Sequence, residues 1–198
     1  MLITKYTHSC VRLEHDGGVL VIDPGTWSEP RALAGADAVL VTHEHTDHVD
    51  VLRLAGLGVP VYAPEGAHLP DLDQVTPIRV GQRFNVAGFP VTAVGGRHAL
   101  IHDGQPDCVN LGYLVGGDVY HPGDSLHVPD EPVRTLLIPG QGSWLRLGEA
   151  IEFARAVGAR RAYTIHDAQI NERGLASVTG WFAETVPGYR HLAPGETA

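Results

Sequence analysis

The chain has 198 residues, 43% hydrophobic and 19% charged, with a formal net charge of −9. That is the length of one domain with room for a core. No apolar run reaches the ~20 residues a membrane helix needs. With Arg160-Arg161 an isolated basic pair, the acidic balance also argues against a nucleic-acid surface.

Residues 2–6 and 10–15 read as strands, and Asp16-Gly17-Gly18 is the turn into a third strand, 19–23, which stops at Pro24-Gly25. The start, Met1-Leu2-Ile3-Thr4-Lys5-Tyr6, lacks a basic region followed by an apolar stretch, so a cytoplasmic protein is expected. Cys10 and Cys108 have no CxxC partner. Neither a zinc ribbon nor a disulfide is expected, and Cys10 reads as a buried thiol. A weak helix is predicted over 29–35, and Ala38-Val39-Leu40-Val41 is a short buried strand. A helix over 48–56 and a strand over 59–63 follow. The stretch 75–95 holds two or three strands broken by glycines. Residues 110–115 and 118–121 form a hairpin across Gly116-Gly117, and 135–138 is another buried strand. Leu147, Ala150, Ile151, Ala154 and Val157 have helical spacing over 147–157. A strand over 161–165 and a helix over 174–185 complete the pattern. There is no linker, low-complexity tract or solenoid period. The order suits one α/β or α+β unit over 1–198, two sheets with helices outside.

Twelve histidines is a high count for this length, and histidine is the commonest metal ligand. His43, His45, Asp47 and His48 lie within the six residues His43-Glu44-His45-Thr46-Asp47-His48, directly after the strand 38–41. His43 and His45, two apart, project to the same side and can share one metal. Asp47 and His48 open the helix expected after them and can reach a second. For Asp47 alone the plain reading is a helix cap.

This motif resembles the signature of the metallo-β-lactamase superfamily. Three more elements follow in the order of that family: Gly95-Gly96-Arg97-His98, Pro122-Gly123-Asp124 and Ile165-His166. The likeness spans roughly residues 2–170. Thr7-His8-Ser9-Cys10 and the run from Asn110 to Ser125 are similar to the ascorbate-6-phosphate-lactonase-like branch. Thr46 stands where the family often has Gly or Ala.

The resemblance implies a four-layer αββα sandwich of two mixed sheets. It implies two divalent metal ions, one on His43, His45 and His98 and one on Asp47, His48 and His166, with Asp124 bridging. Nitrogen and carboxylate donors without thiolate suit zinc, with manganese or iron open. His102 rivals His98, and Asp118 rivals Asp124 but sits in a Gly-Gly-Asp turn, its bland place. His121 and His127 read as surface or supporting residues. Asp23 either hydrogen-bonds the histidine loop or caps its own turn.

A water shared by two cations ~3.5–4 Å apart loses a proton near neutral pH. The expected activity is therefore hydrolysis of an ester, lactone or amide bond in a small metabolite. Asp47 would orient the nucleophile, and His8 is a second catalytic candidate through substrate contact, against the plain reading of a polar strand end. A phosphodiesterase, including a nuclease, is the second reading, and a metal-binding protein without turnover the third. The segment Gly140-Gln141-Gly142-Ser143-Trp144 is either a substrate loop or a turn with Trp144 packed on the core. His102 and Trp144 are further candidates for the pocket wall. Nothing in the sequence names the substrate or the oligomeric state.

Overall fold

The computed structural model describes residues 1–198. Its strands form two mixed sheets of six. The first takes β1 (Leu2–Lys5), β2 (Val11–His15), β3 (Gly18–Ile22), β4 (Ala38–Leu40), β5 (Val61–Pro64) and β6 (Val75–Ile78) in sequential order. Its first two pairings are antiparallel and the rest parallel. The second takes β7 (Arg83–Val86), β8 (Phe89–Gly95), β9 (Leu111–Val115), β10 (Val119–His121), β11 (Thr135–Pro139) and β12 (Arg161–Ile165), also in sequential order. There only the β10–β11 and β11–β12 pairings are parallel.

Side chains alternate across each strand, and here both faces are buried. Leu20, Ile22 and Leu40 from the first sheet meet Val91, Tyr113, Leu137 and Ile165 from the second in a central core. Val21, Val39 and Val61 point the other way, onto Leu33 and Leu54. Leu136, Ile138 and Ala162 point outward onto Phe153 and Phe182. Two-sided burial explains why these strands read as unbroken apolar runs. The outer layers are helical: α1 (Val51–Ala55) with a 3-10 turn at Pro30–Leu33 on one face, and α2 (Leu147–Val157) with α3 (Glu172–Thr185) on the other. This is the expected αββα sandwich. No helix is long and apolar enough to cross a membrane.

Three expected elements change, and one open count is settled. The helix over 29–35 is only the 3-10 turn. The helix over 48–56 forms only at Val51–Ala55, where Asp50 accepts from the N–H of Arg53 as its cap. Asp47 and His48 therefore lie in the loop before it, and Asp47 is not a cap. The stretch 75–95 holds three strands, of which β6 belongs to the first sheet while β7 and β8 open the second. The last helix begins at Glu172, not at residue 174, because Asn171 caps it through the N–H of Gly174.

Three long-range contacts lock the sheets together near one end. The Tyr113 hydroxyl donates to the carbonyl of Val41 at 2.8 Å. The N–H of Leu111 donates to the carbonyl of Thr42 at 2.9 Å. Lys5 and Asp167, both buried, pair at 2.9 Å. The loops after β1, β4, β8, β10, β11 and β12 converge at that end.

Candidate metal centre

The site begins at the end of β3. Asp23 accepts from the backbone N–H of Thr42 at 2.7 Å and from its hydroxyl at 2.6 Å. This turns the chain leaving β4 and aims the histidine loop into the end of the sandwich. Gly25 lets that loop come close, since a Cβ there would overlap the Asp47 carbonyl.

Three ring tautomers follow from the hydrogen bonds. The Thr42 hydroxyl spends its proton on Asp23, so it accepts from Nδ1–H of the buried His43 at 3.0 Å. That leaves the His43 Nε2 lone pair facing Nδ1 of His45, 3.0 Å away. His98 donates from Nδ1 to the carbonyl of Ala99 at 2.6 Å, and its buried Nε2 has no partner. His48 donates from Nδ1 to Asp23 at 2.6 Å. Its Nε2 lies 3.0 Å from Asp124 Oδ1, yet neither atom makes an aligned hydrogen bond. A ring with one nitrogen tied to protein oxygen and the other turned to an empty pole is what a metal-ligating histidine needs. Unpartnered buried polar atoms are otherwise costly. The donor set therefore fits divalent cations.

The donors fall into overlapping groups whose ligand atoms lie within 4.8 Å of one another: His43, His45 and His98; His8, Asp47, His48 and His166; and His43, His48 and Asp124. Asp124 touches both sides, with oxygens 3.0 Å from His48 and from His166 and 3.3 Å from His98. All seven ligand-type residues read from the sequence meet here. The rivals do not. His102 is exposed and bonded to the carbonyl of Asp103. Asp118 pairs with Arg161 and Thr135, and His127 is exposed.

His8 is buried and does not wall the cleft. Its Nδ1 accepts from the N–H of Ala168 at 3.3 Å, so its Nε2–H donates to Asp47 Oδ2 at 3.2 Å. Burial pushes its pKa down to about 4, against the pull of Asp47. Burial pushes the Asp47 carboxyl up, but the bond from His8 prevails and brings it to about 2. Burial likewise opposes charge on Asp124 and His48. The proximity of His48 and His166 holds Asp124 well below the usual carboxylate range, and Asp124 and Asp23 hold His48 well above the usual histidine range.

Four residues support the ligands: His121, expected as a surface or supporting residue, Trp144, expected at the pocket wall or in a turn, and Asn110 and Thr42, for which no role was expected. Trp144 donates its indole N–H to Asp124 Oδ2 at 2.9 Å. Asn110 accepts from the N–H of Asp124 and donates to the carbonyl of Pro122, each at 2.9 Å. Buried His121 donates to the carbonyl of Ser9 at 2.8 Å and accepts from the N–H of Gly123. Thr42 orients His43. Gly123, at φ 62°, is obligatory, since a side chain there would strike Asn110 and Thr42.

A family model described as a beta-lactamase superfamily domain matches residues 2–166. The chain belongs to the metallo-β-lactamase superfamily. Protein Rv0786c of Mycobacterium tuberculosis is 34% identical over 100% of this chain and 99% of its own length. A UPF0173 metal-dependent hydrolase of Chelativorans sp. is 30% identical over 80% of this chain and 78% of its own. The solved structure of Igni18, a novel metallo hydrolase from Ignicoccus hospitalis, shares the metallo-β-lactamase fold. Its TM-score is 0.72 at 18% identity, over 100% of this chain and 97% of that one.

Proposed function

We propose that this protein is a metal-dependent hydrolase with two divalent cations, zinc first, that cleaves an ester, lactone or amide bond in a small molecule. The observation that carries this reading is Asp124, held between His48, His98 and His166, with the buried Nε2 atoms of His48 and His98 left without a hydrogen-bond partner. The hydrolase named among the relatives agrees with it. His43, His45 and His98 would hold one cation, and Asp47, His48 and His166 the other, with Asp124 reaching both. Bound there, the cations would supply Lewis-acid polarisation of the scissile group and make a water acidic enough to attack near neutral pH.

The chain's own residues do the rest. Asp47 stays ionised at working pH and lies at the floor of the cleft. It can orient an attacking water and accept its proton. His8, pinned by Ala168, positions that carboxylate from behind. Trp144 fixes Asp124 through its carboxylate and Asn110 through its backbone N–H.

Elemental analysis of protein purified without chelator, beside a screen on lactone, ester and bis-p-nitrophenyl phosphate substrates, tests the reading. About two metals per chain with ester or lactone turnover supports it. No bound metal, and no turnover after adding zinc or manganese, overturns it. Asp124→Ala is expected to lose the second metal and nearly all turnover while remaining folded.

A further inference from the structure

The cleft that opens on the metal centre has a volume of about 210 Å³. Beyond the candidate ligands, its walls are Ile101, Ser143, Trp144 and Gln169. None carries a charge, and no Lys or Arg reaches the cleft. Three cations are engaged elsewhere. Arg97 is bound to Asp107, Arg53 to Asp50 and Ser28, and Lys5 is buried with Asp167. Among the side chains lining the cleft the only formal charges are the carboxylates of Asp47 and Asp124, which bound cations would offset, so discrimination against a distant charge is left to the outer wall.

Apolar surface stands at the rim. Leu100 is 58% exposed and Ile101 49%, on the loop that follows His98. Trp27, also half-exposed, sits edge-on to the ring of His8 at 4.8 Å, behind Asp47. Large apolar side chains that stay wet beside a cleft gain when a ligand covers them. A phosphate or second carboxylate carried away from the scissile bond would meet a wall with no cation to pair it. It would lose hydration without compensation.

We propose that this cleft selects an uncharged substrate with an apolar arm, a neutral ester or lactone. Its acyl or alkyl chain lies on Ile101 and Trp144, and its polar end meets Ser143 and Gln169. The proposal rests on the hydrolase reading above. Ile101 is the residue that sets the preference, and being exposed it can be replaced without disturbing the core.

The test compares the metal-loaded protein on p-nitrophenyl hexanoate, p-nitrophenyl acetate and p-nitrophenyl 6-phosphohexanoate. The hexanoate is expected to exceed its phosphorylated partner in kcat/KM by roughly 100-fold, the order expected for an unpaired charge at a desolvated wall. It is expected to exceed the acetate by about 10-fold through the covered methylenes. Ile101→Lys should narrow the first gap about tenfold, chiefly through KM of the phosphorylated ester, since a cation then faces it. Equal or preferred cleavage of the phosphorylated ester overturns the proposal and leaves the hydrolase reading standing. Failure to cleave any of the three esters or a neutral lactone, with both metals bound, removes the hydrolase reading and the proposal together.

Discussion

The indole N–H of Trp144 and Nε2 of His166 both reach Oδ2 of Asp124, at 2.9 and 3.0 Å. Oδ1 of the same carboxylate is left to His48. Trp144→Phe keeps an aromatic ring but deletes the donor together with part of the indole's volume. The expected result is a fall of ~10-fold in affinity for the second cation, the size typical of lost outer partners of a metal site. Thermal stability should change little. Titration against a chelating dye measures the affinity directly.

Asp23 carries more. It accepts from His48 and twice from Thr42, wholly out of solvent. Asp23→Ala strands those donors and unlocks the tautomers of both His48 and His43. Metal affinity should drop ~10–100-fold, and stability by about 2–3 kcal/mol. Urea unfolding of the metal-free protein separates the second effect from the first.

The metal-free protein should be most stable near pH 6.5. Burial takes His8 from 6.5 in the unfolded chain to about 4. Between those values the unfolded chain binds more protons, so stability falls as pH drops. For His8 alone the loss amounts to roughly 3 kcal/mol. Asp47, at about 2 instead of 3.8, adds to it below pH 3.8. His48 acts in the opposite sense. Despite its burial, Asp124 and Asp23 raise its folded value, so its contribution is complete below 6.5 and is lost as pH climbs through that raised value. Urea midpoints across pH 4–9 should trace a peak, and a flat profile would refute these environments.

The two thiols should be slow to react. Burial raises Cys10 to about 12, outweighing the bond to Ser28, and half-burial with Glu44 nearby takes Cys108 to about 11. At pH 8, Cys10 holds roughly a thousandfold less thiolate than a free thiol. Iodoacetamide is expected to label Cys108 first and Cys10 only as the chain unfolds. Mass spectrometry of timed samples distinguishes the two.

Much of this was legible because the strands are apolar on both faces. Runs such as Val19–Asp23, Ala38–Val41 and Thr135–Ile138 could not be solvent-facing anywhere, and the ligand-type residues follow their ends. The helix over 48–56 was overdrawn because its periodicity is real but its start is not periodic. Asp50 caps it, and residues 43–48 are held by Asp23 and Gly25 from another strand. Between His98 and His102 the sequence favours His98, which directly follows the strand-ending Gly95-Gly96. The choice is made by β8 running on to Gly95, so that the chain leaves the sheet beside Asp124. Contacts such as His8 with Asp47, Trp144 with Asp124 and Lys5 with Asp167 join residues 39, 20 and 162 positions apart, and no local pattern encodes them.

Three non-glycine residues of the site hold left-handed backbone: His8 at φ 65°, Asp23 at φ 51° and His166 at φ 52°. Each such position costs about 1–2 kcal/mol. Glycine would relax all three, and at each it would delete the side chain the site depends on. The end of the sandwich that gathers the ligands is therefore the part of the molecule least optimised for its own persistence. Variants selected for heat resistance alone should drift toward glycine or asparagine at positions 8 and 166, gaining lifetime as they surrender chemistry, whereas at Asp23 the stranded donors of Thr42 and His48 outweigh the relieved strain.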